Sequence, residues 1–98
     1  AERYIERAVG RMIDINYHLL TESGQAPPPD YYQSFLQLAA IGVYAPEFAQ
    51  RIASCAGLRN RIAHEYDDID PKKLFEAVRQ AIHDVPEYLR HVDAWLGR

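Results

Sequence analysis

Apolar side chains in this chain recur at steps of three and four, and no stretch alternates with the two-residue period of a strand. That periodicity confines the fold to packed helices. Ile5, Ala8, Val9, Met12, Ile13, Leu19 and Leu20 mark a first helix from about residue 2 to about residue 22, with Asn16 as the polar member of its stripe. Asn16 suits either a hydrogen-bonded core amide or a residue facing a partner. "SGQAPPPD" stops this helix, because Gly24 suits a C-cap and three prolines cannot continue it. Asp30, with Gln33 three residues on, opens a short second helix through Phe35, Leu38 and Ala39 that ends at Gly42. Pro46 begins a third, expected to reach about Tyr66. Asp70 and Pro71 open a fourth, whose stripe is Leu74, Val78, Ala81, Ile82, Val85, Leu89, Val92 and Leu96, with a kink expected at Pro86. The expected architecture is an all-α, up-down helical bundle whose long helices are antiparallel neighbours.

At 98 residues the chain is expected to form one domain over 1–98, small enough to gain from a partner. A hydrophobic fraction of 48% and a charged fraction of 26% exclude disorder as the reading of the whole. The formal charge of -3 gives no general pull toward nucleic acid or an anionic membrane, so any phosphate binding must come from a local patch. Arg51, Arg61, Lys72, Lys73 and Arg79 are the nearby source of one, although such residues also make ordinary solvated faces. The single cysteine, Cys55, rules out an intrachain disulfide and reads as core filler. No segment approaches the roughly 20 apolar residues of a membrane span, and no signal peptide opens the chain. A cytoplasmic location with no membrane partner is the expectation.

The third helix sets a problem. On a wheel of about 100° per residue, Phe48, Ile52, Cys55, Ile62, Ala63 and Tyr66 share a side, and Arg59 falls among them. A guanidinium on an apolar face needs a carboxylate, carbonyl groups or an anionic ligand. One solution is an ion pair with Asp14, Glu22 or Asp93 of another helix. The other is a phosphate, which arginine holds in bidentate fashion while a histidine such as His64 moves a proton. Arg59 and His64 are roughly 140° apart around the helix, so one chain aims them poorly at one atom, whereas two copies meeting across a two-fold axis line a common cleft with both.

Arg59-Asn60, then His64, then Tyr66 resembles the Arg-x4-His-x-Tyr signature of the HEPN superfamily. The surrounding "GLRNRIAHEYDDIDPKKLFEAV" and "IGVYAPEFAQRIA" resemble its HepT branch, and the similarity runs through the whole chain. The resemblance implies a HEPN-type bundle with a further helix before Ala1. It implies a metal-independent endoribonuclease toxin, without cofactor, acting as a homodimer. It also implies a minimal nucleotidyltransferase antitoxin of the MntA type, which silences the toxin by attaching AMP to the motif tyrosine. Carried onto this sequence, Arg59 orients and neutralises the scissile phosphate, His64 is the general base or acid, Asn60 supports the polar pocket and Tyr66 is the AMPylation target.

Other sites carry weaker signals. His18, His83 and His91 have no histidine partner at i+4, and Asp67, Asp68 and Asp70 lack the glycine and glutamate of a calcium loop, so no metal site is expected. Tyr4, Tyr17, Tyr31, Tyr32, Tyr44 and Tyr88 suit base stacking or an amphipathic bundle surface equally well. Three classes stay open: a ribonuclease toxin, a non-catalytic module that binds a nucleotidyltransferase or a nucleotide, and a structural dimer with Arg59 in an ion pair. The sequence pI near 5.7 gives weight to the second.

Overall fold

The computed structural model describes residues 2–64 and 70–97, and side chains of 3–58 and 70–97. Four helices follow in order: α1 (Glu2–Glu22), α2 (Tyr31–Ala40), α3 (Pro46–His64) and α4 (Pro71–Leu96). The expected extension of α3 to Tyr66 lies outside the described residues.

The ends of these helices are set by local chemistry. The Asp30 carboxylate accepts from the backbone N–H of Gln33 at 2.8 Å and so caps α2. Asp70 does the same for α4, accepting from Lys72 N–H at 2.9 Å just before the first-turn proline. Gly24 and Gly42 stop α1 and α2 with φ of 77° and 95°, a conformation that a Cβ disfavours. Each supports a paired closure. Gln25 N–H reaches Leu20 O at 2.8 Å with Gly24 N–H on Thr21 O, and Val43 N–H reaches Leu38 O at 2.9 Å with Gly42 N–H on Ala39 O. Val43 and Leu38 are both buried, the apolar contact that usually accompanies this closure. Pro86 does not end α4, which runs through it as one element; its ring leaves the carbonyl of Ile82 without an intrahelical donor.

Helix α1 packs against all three others and α3 lies between α2 and α4, so one core is shared by Ile5, Val9, Met12, Phe35, Leu38 and Ile52. A polar chain crosses it. Asn16 Nδ2 donates to Ser34 Oγ at 3.0 Å, and the Tyr88 hydroxyl donates to Asn16 Oδ1 while lying 3.2 Å from the carbonyl of Met12. Asn16 is thus a satisfied core amide, and Ser34 and Tyr88 are buried with it.

Two expectations need correction. Ile82, Leu89 and Leu96, assigned to the buried stripe of α4, are 50%, 48% and 59% exposed, and Phe75 is 63% exposed. The buried face is Ala81, Asp84, Val85, Tyr88 and Val92. The helix faces the core over a narrower arc than its apolar residues cover, and the four exposed ones repeat every seven positions along one edge. Tyr44 and Tyr88 are core residues and offer no surface for stacking. Tyr44 donates to Phe35 O at 2.9 Å, and its ring meets Phe48 edge-on at 5.1 Å. Burial pushes both phenols well above their usual range, with the neighbouring Tyr44 adding to the shift at Tyr88. Among the described residues no helix is long and apolar enough to cross a membrane.

Candidate functional site

The motif residues Arg59, Asn60 and His64 all lie in α3, the first and last five positions apart along the helix, and Tyr66 lies outside the described residues. The helix that carries them is anchored as its periodicity requires. Phe48, Ile52, Cys55 and Leu58 are buried, so the described part of the face that leads to Arg59 packs inward. Ser54 and Gln50 stay on the outside. The Cys55 thiol is core filler, pushed up to about 11 by burial and secondarily by the charge of Asp84, which keeps it protonated and unreactive.

Asp14, Glu22 and Asp93, the acids considered as partners of Arg59, are exposed. The buried acid is Asp84 on α4, with no exposed surface. Its Oδ1 accepts from three side chains: Arg51 Nε at 3.3 Å from across the α3–α4 contact, Gln80 Nε2 at 3.1 Å, and the Nδ1 side of His83 at 3.3 Å. Its Oδ2 is buried with no hydrogen-bond partner among the described residues. Arg51 also reaches Glu87 at 3.5 Å and lies over the Phe48 ring at 5.2 Å. Of these, Arg51 figured in the sequence only as a source of a basic patch and His83 only as a histidine without a partner at i+4, yet the signal for Asp84 was present, since it falls in register with Ala81 and Tyr88 on the inward face of α4.

His83, Asp84 and Glu87 bring nitrogen and oxygen atoms within 4.8 Å of one another, a spacing that a cation can use. The Arg51 guanidinium already lies against both carboxylates, so the negative charge of the cluster has a counterion from the chain itself.

Two cavities that share Gln80 open along α4, the smaller of them at the contact with α3. The smaller, about 140 Å³, lies between the helices and is lined by Ser54, Cys55, Leu58, Ala77, Gln80 and Asp84 among others. The larger, about 520 Å³, is bordered on α4 by Glu76, Arg79, Gln80 and His83 and shares Gln80 with the first. Leu58 immediately precedes Arg59, so the lining of the smaller cavity reaches to within one residue of the motif.

The profile of the family described as Ribonuclease HepT-like matches residues 1–92. The chain belongs to the HepT-like ribonuclease family. A curated relative, the tRNA nuclease HepT of Aphanizomenon flos-aquae, is 37% identical over 95 residues, covering 97% of this chain and 65% of that protein. The HepT-like chain therefore spans a little under two thirds of the length of that relative. A solved HEPN toxin of Shewanella oneidensis, tri-AMPylated and in complex with its MNT antitoxin, superposes with a TM-score of 0.85 at 20% identity, over 95% of this chain and 70% of the other. That likeness establishes the all-α HEPN fold.

Proposed function

We propose that this HepT-like chain is the toxin of a toxin and antitoxin pair and cleaves RNA without a metal ion in the cytoplasm. The observation that carries the reading is the family match over 1–92 together with 37% identity to a protein named as a tRNA nuclease. On this reading tRNA is the substrate class, and the motif at the end of α3 is the active site.

The chemistry follows from the motif. Attack by a ribose 2'-hydroxyl on the adjacent phosphorus forms the O2'–P bond and expels the 5'-oxygen of the next nucleotide, leaving a cyclic phosphate. One group must take the hydroxyl proton, another must protonate the leaving oxygen, and a cation must meet the charge that develops on the phosphate. His64 moves a proton and Arg59 neutralises the phosphate, with Asn60 supporting the pocket. Five helical steps turn Arg59 and His64 apart, so a homodimer that apposes two α3 ends supplies both roles to one phosphodiester.

The partner is a minimal nucleotidyltransferase of the MntA type, as the Shewanella neighbour bound to an MNT antitoxin suggests. It transfers AMP from ATP to the Tyr66 hydroxyl with release of pyrophosphate. Tyr66 follows Arg59 by seven residues, so the added phosphate sits next to the motif in sequence and competes with the RNA phosphate for it. The test is tRNA cleavage by purified protein before and after incubation with its nucleotidyltransferase and ATP. Cleavage that stops as the protein gains the mass of AMP on Tyr66 supports the reading. Absence of cleavage by unmodified protein would move it to a binding module.

A further inference from the structure

Arg3, Arg7 and Arg11 follow one another at four-residue steps along α1, and all three are exposed. A step of four residues advances about 6 Å along the axis and turns through little more than one revolution, so the three guanidinium groups form a row on one side of the helix. The local energetics oppose such a row. Like charges at i and i+4 repel, and Arg3 lies in the first turn, where the helix dipole disfavours a cation. Among the described residues none of the three makes an ion pair; the pairs are those of Arg51, His83 and His91 with Asp84 and Glu87. The row is therefore positive charge that the described chain leaves uncompensated.

The row borders a groove of about 640 Å³ between α1 and α4, and both of its walls are described. Tyr4 and Met12 line it from α1, and Val85 and Leu89 from α4. A nucleic-acid strand fits this arrangement. Arginine grips phosphate oxygens in pairs, and the step between the arginines is comparable with that between successive phosphates of an RNA strand. Tyr4, 48% exposed, offers a ring on which a base can stack, and the half-exposed Leu89 offers apolar surface opposite it. A net charge of -3 means that RNA binding needs a local row of this kind. Arg51, one of the cations that the sequence offered for phosphate, is already held by Asp84 and Glu87. A folded tRNA is longer than the 42 Å extent of the chain, so one molecule can reach both the motif on α3 and a row on α1.

Resting on the ribonuclease reading above, we infer that Arg3, Arg7 and Arg11, with Tyr4, form a track on α1 that holds a single-stranded stretch of the RNA substrate by its phosphates, apart from the bond that is cut. The arginines supply affinity without base selection, because phosphates carry no sequence. They touch no reacting atom, so they hold substrate and transition state alike and act on KM rather than on kcat.

The experiment measures binding of fluorescently labelled tRNA to the full chain across a range of salt, in a His64→Ala background that stops cleavage, and cleavage kinetics with His64 intact. Replacing all three arginines, by Arg3→Gln, Arg7→Gln and Arg11→Gln, is expected to weaken binding at least about tenfold and to lower the slope of log Kd against log salt by about 2, the counterion release of three phosphate contacts on a single strand. KM should rise with kcat retained, and the melting temperature should hold or rise as the repulsion in the row is relieved. Arg90→Gln removes the same charge from an exposed position outside the groove and should leave the slope unchanged. Tyr4→Leu should weaken binding of a single-stranded RNA oligonucleotide at unchanged slope. A triple variant with the parent's affinity and slope, a loss that Arg90→Gln reproduces, or an oligonucleotide affinity untouched by Tyr4→Leu overturns the track. So does a triple variant that cleaves like the parent but no longer binds the nucleotidyltransferase, which would assign the row to an acidic protein surface. A parent that binds tRNA through these arginines without cleaving it keeps the track and overturns the ribonuclease reading instead.

Discussion

The Tyr88 hydroxyl on α4 donates to the amide oxygen of Asn16 on α1, 72 positions earlier, and the amide nitrogen of Asn16 continues to Ser34 on α2 at 3.0 Å. Three helices are therefore registered by one buried polar chain, and each of its side chains is fully excluded from solvent. Removing one member strands the others. Tyr88→Phe is expected to cost about 1–3 kcal/mol, and Asn16→Leu about as much or more because it strands two partners and adds bulk. Urea unfolding with unchanged slope measures both; a loss below about 0.5 kcal/mol for either would show that the chain contributes no stability.

Tyr44 and Tyr88 hold their protons far above the ordinary phenol value of 10.0 because burial penalises the phenolate. A folded-state pKa above the unfolded one means that the unfolded chain releases protons first as pH rises. Stability should stay level to about pH 9 and fall as the pH passes through 10. Ultraviolet titration of the phenols checks this: Tyr44 and Tyr88 should resist ionisation until the protein unfolds.

Cys55 carries a thiol whose pKa is raised from 9.0 to about 11, so about one thiol in a thousand is ionised at pH 8. Alkylation at that pH should be slow in native protein and rapid in denaturant. Equal rates in the two states would show that the α3–α4 contact opens freely around this side chain.

The exposed edge of α4 makes a contrast with the core. Leu89→Ala at a side chain 48% exposed should cost under about 1 kcal/mol, whereas Phe35→Ala at a fully buried ring should cost about 3–5 kcal/mol. Thermal or urea unfolding of the pair decides it, and similar losses for both would mean that the edge is covered in solution.

The α-helical class and the helix ends were legible because they rest on local chemistry. Asp30, Asp70, Pro46, Gly24 and Gly42 each satisfy or forbid a specific backbone hydrogen bond, and the structure uses all five where the sequence placed them. Asn16 was legible as a polar residue in an apolar stripe, but its two readings separated only when Ser34 and Tyr88 were found against it. The width of the buried face of α4 was not legible, since periodicity marks every apolar position and tertiary contact decides which of Val85 and Leu89 is covered. The buried acid was missed for a related reason. The argument that singled out Arg59, a charge in register with apolar neighbours, applies equally to Asp84. Asp14, Glu22 and Asp93, the acids that the sequence offered to Arg59, all face solvent. Of the candidate site, the type of residue and its place on α3 came from the sequence, and the cavities beside it came from packing.

The proposed homodimer, with two α3 ends apposed, has its own consequence. If Arg59 of one subunit serves His64 of the other, mixing inactive Arg59→Ala and His64→Ala proteins and re-forming dimers should restore cleavage at no more than about half the sites. Refolded mixtures that remain inactive while mass spectrometry shows mixed dimers would mean that each subunit uses its own pair.

The most direct test of the central claim is tRNA cleavage in the presence of EDTA by the parent chain, Arg59→Ala and His64→Ala, each shown by circular dichroism to be folded. Metal-free catalysis by these side chains predicts cleavage by the parent that ends in a cyclic phosphate and falls at least about a hundredfold in both variants. Cleavage that EDTA abolishes, or that His64→Ala retains at the parent rate, would contradict it.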